Sequence, residues 1–242
     1  MNRKRVYAII LAGGRGTRMG GDIPKQYMML EGRPVLSYSL EIFEKSCSDK
    51  IFIVCDPAFE DHITEEIIRP RSISKFAGFA ECGEERVWSV KNGIDRALEG
   101  ISSDEHDGIW LMIHDGARPL VSCDLIERCI SAAESSKAVI PGIPLKDTIK
   151  EISGTKVNST PDRSGFCAVQ TPQCFKADVI LRAYDGFEAA AEDFIPTDDA
   201  SLVEKFTDED VNVIPGEENN IKLTTPLDMK TAEMILQDGG RS

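Results

Sequence analysis

The stretch that decides the fold runs from Val6 to Met19 and reads VYAIILAGGRGTRM. Its first half is a continuous apolar run, which is typical of a strand buried on both faces of a parallel sheet. Three glycines follow directly, with two arginines among and after them. Backbone N–H groups in such a loop can approach a phosphate chain closely, because glycine has no side chain to hold the phosphate away. The segment therefore predicts a buried strand that ends in an anion-binding loop.

Two common phosphate-binding loops do not fit this stretch. A Rossmann fingerprint requires a third glycine where Met19 stands, and a Walker A loop ends in Gly-Lys-Ser or Gly-Lys-Thr, which this segment lacks. Lys25 follows shortly afterwards, so Arg18 and Lys25 add positive charge beside the glycines. Nucleotidyl transfer needs such charges, because its catalysis is mostly positioning and neutralisation of phosphate oxygens. We predict that Arg18 and Lys25 are catalytic; the alternative is an ordinary turn whose arginines are solvated.

Apolar runs alternate with amphipathic stretches along the chain, which predicts an α/β fold with a mostly parallel sheet covered by helices. The predicted strands are Val6–Ala12, Ile51–Cys55, Phe76–Cys82, Gly108–Ile113, Ala138–Pro141 and Val211–Pro215. The predicted helices are Val35–Lys45, Ala58–Ile67, Glu84–Leu98, Cys123–Ser135, Ala177–Ala191, Ala200–Phe206 and Leu227–Gln237. We expect residues 1–242 to form a single domain.

Residues 146–170 interrupt this alternation. Two short runs of β-like residues flank Ser153-Gly154, a turn signal, so the segment predicts an antiparallel hairpin that projects from the α/β body. It is too polar to be core. It is therefore either solvated decoration or a surface that meets another subunit.

Composition and charge exclude several classes of protein. The formal net charge of −13 argues against nucleic acid or an anionic membrane as partner, since both require a broad basic face. We find no apolar run near the roughly 20 residues that span a bilayer, and the basic start of the chain is a poor signal peptide. The seven cysteines show neither CxxC pairs nor metal-ligand spacing with histidine, which predicts that most of them are small buried side chains in a reducing, cytoplasmic protein.

Several short motifs, in this order and spacing, carry a resemblance to a known family. They are Leu11–Met19 with Pro24-Lys25-Gln26, His114–Pro119, Pro144–Lys150, Asp162-Arg163, Gln170–Gln173 and Asn220-Ile221-Lys222. The first resembles the signature loop of sugar-nucleotide pyrophosphorylases and cytidylyltransferases. Together they resemble the 2-C-methyl-D-erythritol 4-phosphate cytidylyltransferases of non-mevalonate isoprenoid synthesis, over the chain from Ala8 to about Glu233.

The resemblance implies a Rossmann-like sheet of the nucleotide-diphospho-sugar transferase type and transfer of CMP from CTP to a small polyol phosphate. It implies a homodimer in which the hairpin arm, residues 146–170, reaches the neighbouring subunit and carries Thr148 and Arg163 to the acceptor phosphate. It also adds Lys222 to the catalytic residues, as a contact to the phosphates of CTP, although a lysine near a strand end is usually solvated. The nucleotide-binding residues that it implies are Ala12, Gly13, Gly14, Gly16, Gly83, Ser89 and Gly116.

Asp115 follows an apolar strand, where ligands bind in open α/β sheets, and its carboxylate is a candidate ligand for Mg²⁺ bound to the triphosphate. Alternatively, Asp115 caps the following turn or pairs with Arg118. The segment after Gly83 also has a purely structural interpretation, because Glu84 and Glu85 are typical of the first turn of a helix, where acids are favourable. His114 is better explained as a packed side chain than as a base, because an ionised phosphate nucleophile needs no proton removed.

Two positions depart from the family pattern, since the family more often has alanine where this chain has Gly13 and Gly116. The Leu-Ala-Gly-Gly form is similar to ribitol-5-phosphate cytidylyltransferases, which leaves ribitol 5-phosphate open as the acceptor. The segments Lys146–Ile149 and Asp162-Arg163 favour the methylerythritol acceptor. A catalytically silent nucleotide-binding domain is the second alternative.

Overall fold

The computed structural model describes residues 4–14, 24–190 and 194–239. Predictions for Gly16 and Arg18 lie outside these residues. Within them the strands are β1 (Arg5–Leu11), β2 (Met29–Leu30), β3 (Arg33–Pro34), β4 (Lys50–Cys55), β5 (Phe76–Glu81), β6 (Ile109–Asp115), β7 (Ala138–Pro144), β8 (Glu151–Ser153), β9 (Lys156–Ser159), β10 (Cys167–Val169), β11 (Gln173–Lys176) and β12 (Val211–Pro215). The α-helices are α1 (Val35–Lys45), α2 (Glu60–Ile63), α3 (Arg86–Leu98), α4 (Cys123–Ala132), α5 (Ala177–Ala189), α6 (Ala200–Phe206) and α7 (Pro226–Gln237).

The main sheet has a parallel centre, as predicted. Its strand order is β10-β7-β11-β6-β1-β4-β5, with β12 added beside β7. Strand β1 pairs in parallel with β4 and with β6, and β4 pairs in parallel with β5. The carboxyl ends of these four strands therefore meet at one edge of the sheet, which is where ligands bind in open α/β sheets.

The main sheet is nevertheless mixed. Strand β11 runs antiparallel to both β6 and β7, and β10 runs antiparallel to β7. Sequence reasoning did not predict either strand. Each has only three or four residues, which is too short for an alternating pattern to stand out from a loop.

Strand β1 shows how the sheet is buried. Its side chains alternate between the two faces: Ala8 and Ile10 pack with α1 and α4, while Tyr7 and Ile9 pack with α3 and α5. Isoleucines Ile9 and Ile10 are both fully buried, and each such side chain contributes about 1.5–3 kcal/mol to folding. The continuous apolar run is therefore explained by a strand that has helices on both faces.

The helix predicted over Ala58–Ile67 is wrong in detail. The structure has a 3₁₀ turn at Pro57–Phe59, then α2, a π-helical turn at Thr64–Ile68 and a second 3₁₀ turn at Arg69–Arg71. Ile67 and Ile68 are adjacent in sequence and both buried. Apolar spacing of about 3.6 residues predicts a regular α-helix here, and it does not distinguish one from a short run of 3₁₀, α and π turns.

The predicted hairpin is present. Strands β8 and β9 pair antiparallel, with Ile152 opposite Val157, and Gly154 adopts φ +58 at the turn. Ile152 and Val157 are 61% and 51% exposed, respectively. The arm therefore presents apolar side chains to its surroundings instead of burying them in its own chain.

Among the described residues, no helix combines the length and the apolar character needed to cross a membrane.

Candidate active site

A cavity of about 590 Å³ lies at the carboxyl ends of β1, β4, β5 and β6. This volume is within the range of small-molecule sites. Its lining includes residues 11–14 after β1, 24–27 from the following segment and 81–86 after β5. Asp115, which pairs with Leu11 across β1 and β6, and Lys222 also line it.

The structure brings most of the predicted nucleotide-binding residues to this cavity, together with two predicted catalytic lysines and the predicted metal ligand. Those that line it are Ala12, Gly13, Gly14, Lys25, Gly83, Ser89, Asp115 and Lys222. Gly116 lies beside the cavity but does not line it: its N–H donates to the Leu11 carbonyl at 2.9 Å. A Cβ on Gly116 would lie 2.8 Å from that carbonyl oxygen, so glycine allows β1 and the turn after β6 to pack closely.

The glycine loop is held by two side chains that sequence reasoning did not assign. Gln26 donates to the carbonyl oxygens of Ala12 at 2.5 Å and Gly14 at 3.0 Å. The Tyr27 hydroxyl also donates to the Ala12 carbonyl, at 2.9 Å. Both side chains are buried, and burial raises the pKa of Tyr27, so the hydroxyl stays protonated and remains a donor. These bonds explain why Pro24-Lys25-Gln26 accompanies the glycines: the segment fixes their carbonyls.

Gly83 and Ser89 form one wall of the cavity. The Gly83 N–H donates to Ser89 Oγ at 3.0 Å, and Ser89 Oγ donates to the Glu85 carbonyl at 3.1 Å. A Cβ on Gly83 would lie 2.5 Å from the Cβ of Trp88. Gly83 is therefore required for the chain to turn from β5 into α3 at this place.

Asp115 is surrounded by three cations. Its Oδ2 lies 2.8 Å from Lys222 Nζ and 3.8 Å from Arg118 Nε, and its Oδ1 lies 3.7 Å from Arg86 Nε. Burial raises the pKa of Asp115, but Lys222, Arg86 and Arg118 lower it by more, so its pKa lies well below the ordinary value. The carboxylate is therefore ionised at neutral pH.

His114 is fully buried, and both of its ring nitrogens are engaged. The Asp115 N–H donates to Thr171 Oγ1, at 3.1 Å, and this leaves the hydroxyl proton for His114 Nδ1, also at 3.1 Å. Nε2 of His114 then carries the proton and donates to the Arg118 carbonyl at 3.2 Å. Burial is the main cause that lowers the pKa of His114 to about 4, which keeps the ring neutral. The structure thus agrees with the interpretation of His114 as a packed side chain.

The segment that contains Lys222 is hydrogen-bonded to the turn after β6. Arg118 NH1 donates to the Asn220 carbonyl at 2.7 Å, and Asn220 Nδ2 donates to the Thr171 carbonyl at 2.9 Å. Thr171 and Asn220 belong to two of the sequence motifs, but the motifs predicted no role for either side chain. Their contribution depends on contacts between segments that are distant in sequence.

Arg86 is a cavity-lining residue that sequence reasoning also missed. Its NH2 donates to Asp199 Oδ2 at 2.7 Å while its Nε faces Asp115. The only local signal was a cation in the first turn of a predicted helix, where acids are more favourable. Burial lowers the pKa of Arg86, but Asp199 and then Asp115 raise it by more, so the guanidinium stays charged.

A metal ion would find a limited donor set here. Among the described residues, no group of three or more His, Cys, Asp or Glu side chains is arranged to hold a metal. Asp115 offers one ionised carboxylate, whose Oδ1 is 3.7 Å from its nearest cation. This set fits Mg²⁺ bound mainly by triphosphate oxygens, because Mg²⁺ in such sites needs only one or two protein carboxylates.

The predicted acceptor residues lie elsewhere in this chain. Thr148 and Arg163 do not line the nucleotide cavity, and Arg163 instead lines a second cavity at the base of the arm, between β7, β10 and β12. Its NH1 donates to the Lys146 carbonyl. Within one chain, therefore, the structure does not bring the predicted acceptor residues to the predicted nucleotide residues.

Comparison with known proteins identifies the family. Residues 6–238 match the family model described as 2-C-methyl-D-erythritol 4-phosphate cytidylyltransferase. A protein of that name from Lachnoclostridium phytofermentans is 39% identical over 97% of both chains, and one from Geotalea uraniireducens is 40% identical over 96% of this chain and 97% of its own.

Solved structures agree with this match. A 4-diphosphocytidyl-2C-methyl-D-erythritol synthase from Anaerococcus prevotii superposes with a TM-score of 0.79 at 33% identity, covering 97% of this chain and 99% of its own. A 2-C-methyl-D-erythritol 4-phosphate cytidylyltransferase from Thermus thermophilus superposes with a TM-score of 0.73 at 28% identity, over 97% and 99% of the two chains. With the whole fold and nearly the whole sequence matched, the chain belongs to the 2-C-methyl-D-erythritol 4-phosphate cytidylyltransferase family.

Proposed function

We propose that this chain transfers CMP from CTP to 2-C-methyl-D-erythritol 4-phosphate and releases pyrophosphate, a step of non-mevalonate isoprenoid precursor synthesis. The observation that carries the proposal is the cavity at the carboxyl ends of β1 and β6, which combines the glycine loop with Lys25 and Lys222. The chain matches relatives of this name along nearly its full length. The cations and the carboxylate at one cavity also argue against a catalytically silent binding domain.

The reaction is an in-line displacement at the α-phosphorus of CTP. A phosphate oxygen of the acceptor attacks, the bond to the bridging oxygen breaks, and pyrophosphate leaves on the opposite side. Lys25 and Lys222 neutralise charge on the phosphate oxygens, together with Arg18, and each such contact is worth about 3–4 kcal/mol in the transition state. A general base is not needed, because the acceptor phosphate is already ionised, and neutral His114 is fully occupied by hydrogen bonds.

Asp115 is the proposed protein ligand for Mg²⁺. Asp115 would hold the ion, which would supply positive charge to offset the negative charge of the leaving pyrophosphate. Lys222 now forms an ion pair with Asp115, so arrival of the triphosphate would give Lys222 a second anionic partner. The proposal therefore assigns Lys222 to the nucleotide and Asp115 to the metal.

The acceptor site is proposed to lie between two subunits. Thr148 and Arg163 belong to the arm, and neither lines the nucleotide cavity of its own chain. An isolated two-stranded hairpin is marginally stable in water, and exposed Ile152 and Val157 would gain cover from a second arm. A homodimer with two shared sites follows from this arrangement, and we propose that it is cytoplasmic.

The test is a turnover assay with purified protein, Mg²⁺ and CTP, in which pyrophosphate release is followed. We expect release with 2-C-methyl-D-erythritol 4-phosphate and far less with ribitol 5-phosphate, UTP or ATP. Faster release with ribitol 5-phosphate would reassign the acceptor, and equal rates with UTP or ATP would remove the cytosine assignment. Lys222→Ala protein is the control for pyrophosphate release by a contaminant.

A further inference from the structure

We propose that Asp199 is a positioning residue for CMP transfer: its buried carboxylate holds the Arg86 guanidinium at the wall of the nucleotide cavity, beside Asp115. The inference rests on the proposed function for its catalytic consequence. The hydrogen bonds that hold Arg86 are present in the structure regardless of the reaction.

Two neighbouring aspartates, Asp198 and Asp199, precede α6, and their side chains have different hydrogen-bond partners. An aspartate at a helix N-cap normally accepts hydrogen bonds from the first backbone N–H groups. Asp199 occupies that position but makes no such bond with its side chain. Asp198 takes the role instead, because its Oδ1 accepts from the Ser201 N–H at 3.0 Å. The Asp199 carboxylate is thereby available for another partner.

That partner is Arg86. Asp199 is fully buried; its Oδ2 accepts from Arg86 NH2 at 2.7 Å, and its Oδ1 lies 3.0 Å from the Tyr184 hydroxyl. A buried carboxylate is costly unless it is paired and hydrogen-bonded, and here both oxygens are satisfied. The arrangement orients the planar guanidinium, since its NH2 is fixed while its Nε faces Asp115 at 3.7 Å.

The backbone of Asp199 is fixed to the strand next to β6. Gln173 Oε1 accepts from the N–H groups of Asp199 and Ala200, both at 3.2 Å, and Gln173 Nε2 donates to Asp198 Oδ2 at 2.7 Å. Gln173 itself pairs with Ile113, two residues before Asp115. Asp199 and Asp115 are thus held by adjacent strands, with Arg86 between their carboxylates.

The consequence is a competition for Arg86. With Asp199 in place, Arg86 is hydrogen-bonded to Asp199 and stays beyond hydrogen-bond distance of Asp115. Asp115 then keeps its close contact with Lys222. Without the Asp199 charge, Asp115 would be the nearest carboxylate to Arg86, so the guanidinium would move onto it and out of its place on the cavity wall. We expect slower turnover, because the phosphate site is no longer organised before the substrate arrives.

The test is a double-mutant cycle on kcat with Asp199→Asn, Arg86→Gln and the double variant. Asp199→Asn should lower kcat at least about tenfold in the wild-type background. It should change kcat less than about twofold in the Arg86→Gln background, because Asp199 acts through Arg86. The same loss in both backgrounds would show that Asp199 acts independently, and the inference would be wrong.

The matched control is Asp198→Asn, which disturbs the same loop and the start of α6 but does not contact Arg86. It should reduce thermal stability and leave kcat near the wild-type value. A loss of kcat in Asp198→Asn equal to that in Asp199→Asn would assign the effect to general loop damage and overturn the proposal. If Asp199→Asn does not fold, Tyr184→Phe takes its place in the cycle, because it removes the second hydrogen bond to the same carboxylate.

An NMR measurement separates this inference from the proposed function. The Arg86 side-chain N–H signal, assigned from its loss in Arg86→Gln, should shift in Asp199→Asn or Tyr184→Phe and stay in place in Asp198→Asn. Wild-type protein that does not turn over CTP would contradict the proposed function but not the positioning of Arg86 by Asp199. An Arg86 signal that does not shift when the Asp199 charge is removed would contradict the positioning role but not the proposed function.

Discussion

Lys222 Nζ lies 2.8 Å from Asp115 Oδ2, which joins the segment before α7 to the carboxyl end of β6. Asp115 is buried, and Lys222 is the strongest of the cations that lower its pKa. The pair places a charged lysine on the wall of the cavity without leaving a buried carboxylate unpaired. Its position explains why the Asn220-Ile221-Lys222 motif is part of the site although it is distant from the glycine loop in sequence.

Replacement of Lys222 tests this relationship. Lys222→Ala should lower kcat by about 100-fold or more, because it removes one charge that stabilises the phosphate oxygens of the transition state. The CTP KM should change less than kcat. Steady-state kinetics with CTP varied would measure both constants. The control is Lys137→Ala, an exposed lysine that pairs with Glu209 and lines neither cavity, and it should retain normal kinetics. A rise in KM with unchanged kcat would restrict Lys222 to ground-state binding.

Replacement of Asp115 tests the proposed metal ligand. Asp115→Asn should lower turnover by about 100-fold and raise the Mg²⁺ concentration needed for half-maximal rate, because one anionic ligand is lost. The variant should also unfold at lower urea concentration, since Lys222, Arg86 and Arg118 lose their shared partner. Rates measured over a Mg²⁺ series, with circular dichroism as the check of fold, give both results. An unchanged Mg²⁺ dependence would remove Asp115 from the metal site.

We predict that the Cys82 side chain is what requires a glycine at position 13. A Cβ at Gly13 would lie 2.4 Å from the Cys82 Cβ, so Gly13→Ala should destabilise the protein by about 1–3 kcal/mol. Cys82→Gly should restore stability to the Gly13→Ala protein, because it removes the clashing atom. Cys82→Ala should not, because it keeps that atom. Urea unfolding of the four proteins checks this, and a Gly13→Ala protein as stable as wild type would show that the loop moves instead.

Subunit mixing tests the shared acceptor site. Arg163→Ala and Lys25→Ala proteins should each be inactive alone, and a mixture that has exchanged subunits should regain activity. In each heterodimer one site would combine wild-type Lys25 with wild-type Arg163 of the neighbouring subunit. Exchange is verified with differently tagged chains. A mixture that stays inactive after verified exchange would assign Arg163 to its own subunit.

The cysteines are predicted to differ in reactivity. Burial raises the pKa of Cys55 and Cys129 to about 12 and also raises that of Cys174, so these thiols carry little thiolate at pH 8. Desolvation also raises the pKa of Cys47, but its side chain is exposed to the reagent, so it should react before these three buried thiols in native protein. Mass spectrometry of peptides after brief labelling would identify the modified residues. Rapid native labelling of Cys129 would contradict the packing described for it.

Local sequence determined the elements whose signals lie within a few residues of one another. The apolar run before the glycines predicted β1, and Ser153-Gly154 predicted the turn between β8 and β9, where Gly154 adopts a positive φ. Helical spacing of apolar residues predicted α3 and the other long helices. The π turn at Thr64–Ile68 shows the limit, because apolar spacing predicts helical structure but not a change of pitch within a few residues.

Local sequence predicted Asp115 and Lys25 as site residues, the family resemblance added Lys222, and all three line the cavity. Only the tertiary structure decided what each of them faces. Arg86 beside Asp199, and Thr171 beside His114, are pairs formed by segments far apart in the chain. An aspartate before a helix is indistinguishable in sequence from an ordinary N-cap. Its role depends on which distant side chain the fold brings to it. Here the pairing of β11 with β6 and the shared core of α3 and α6 bring Arg86 to Asp199.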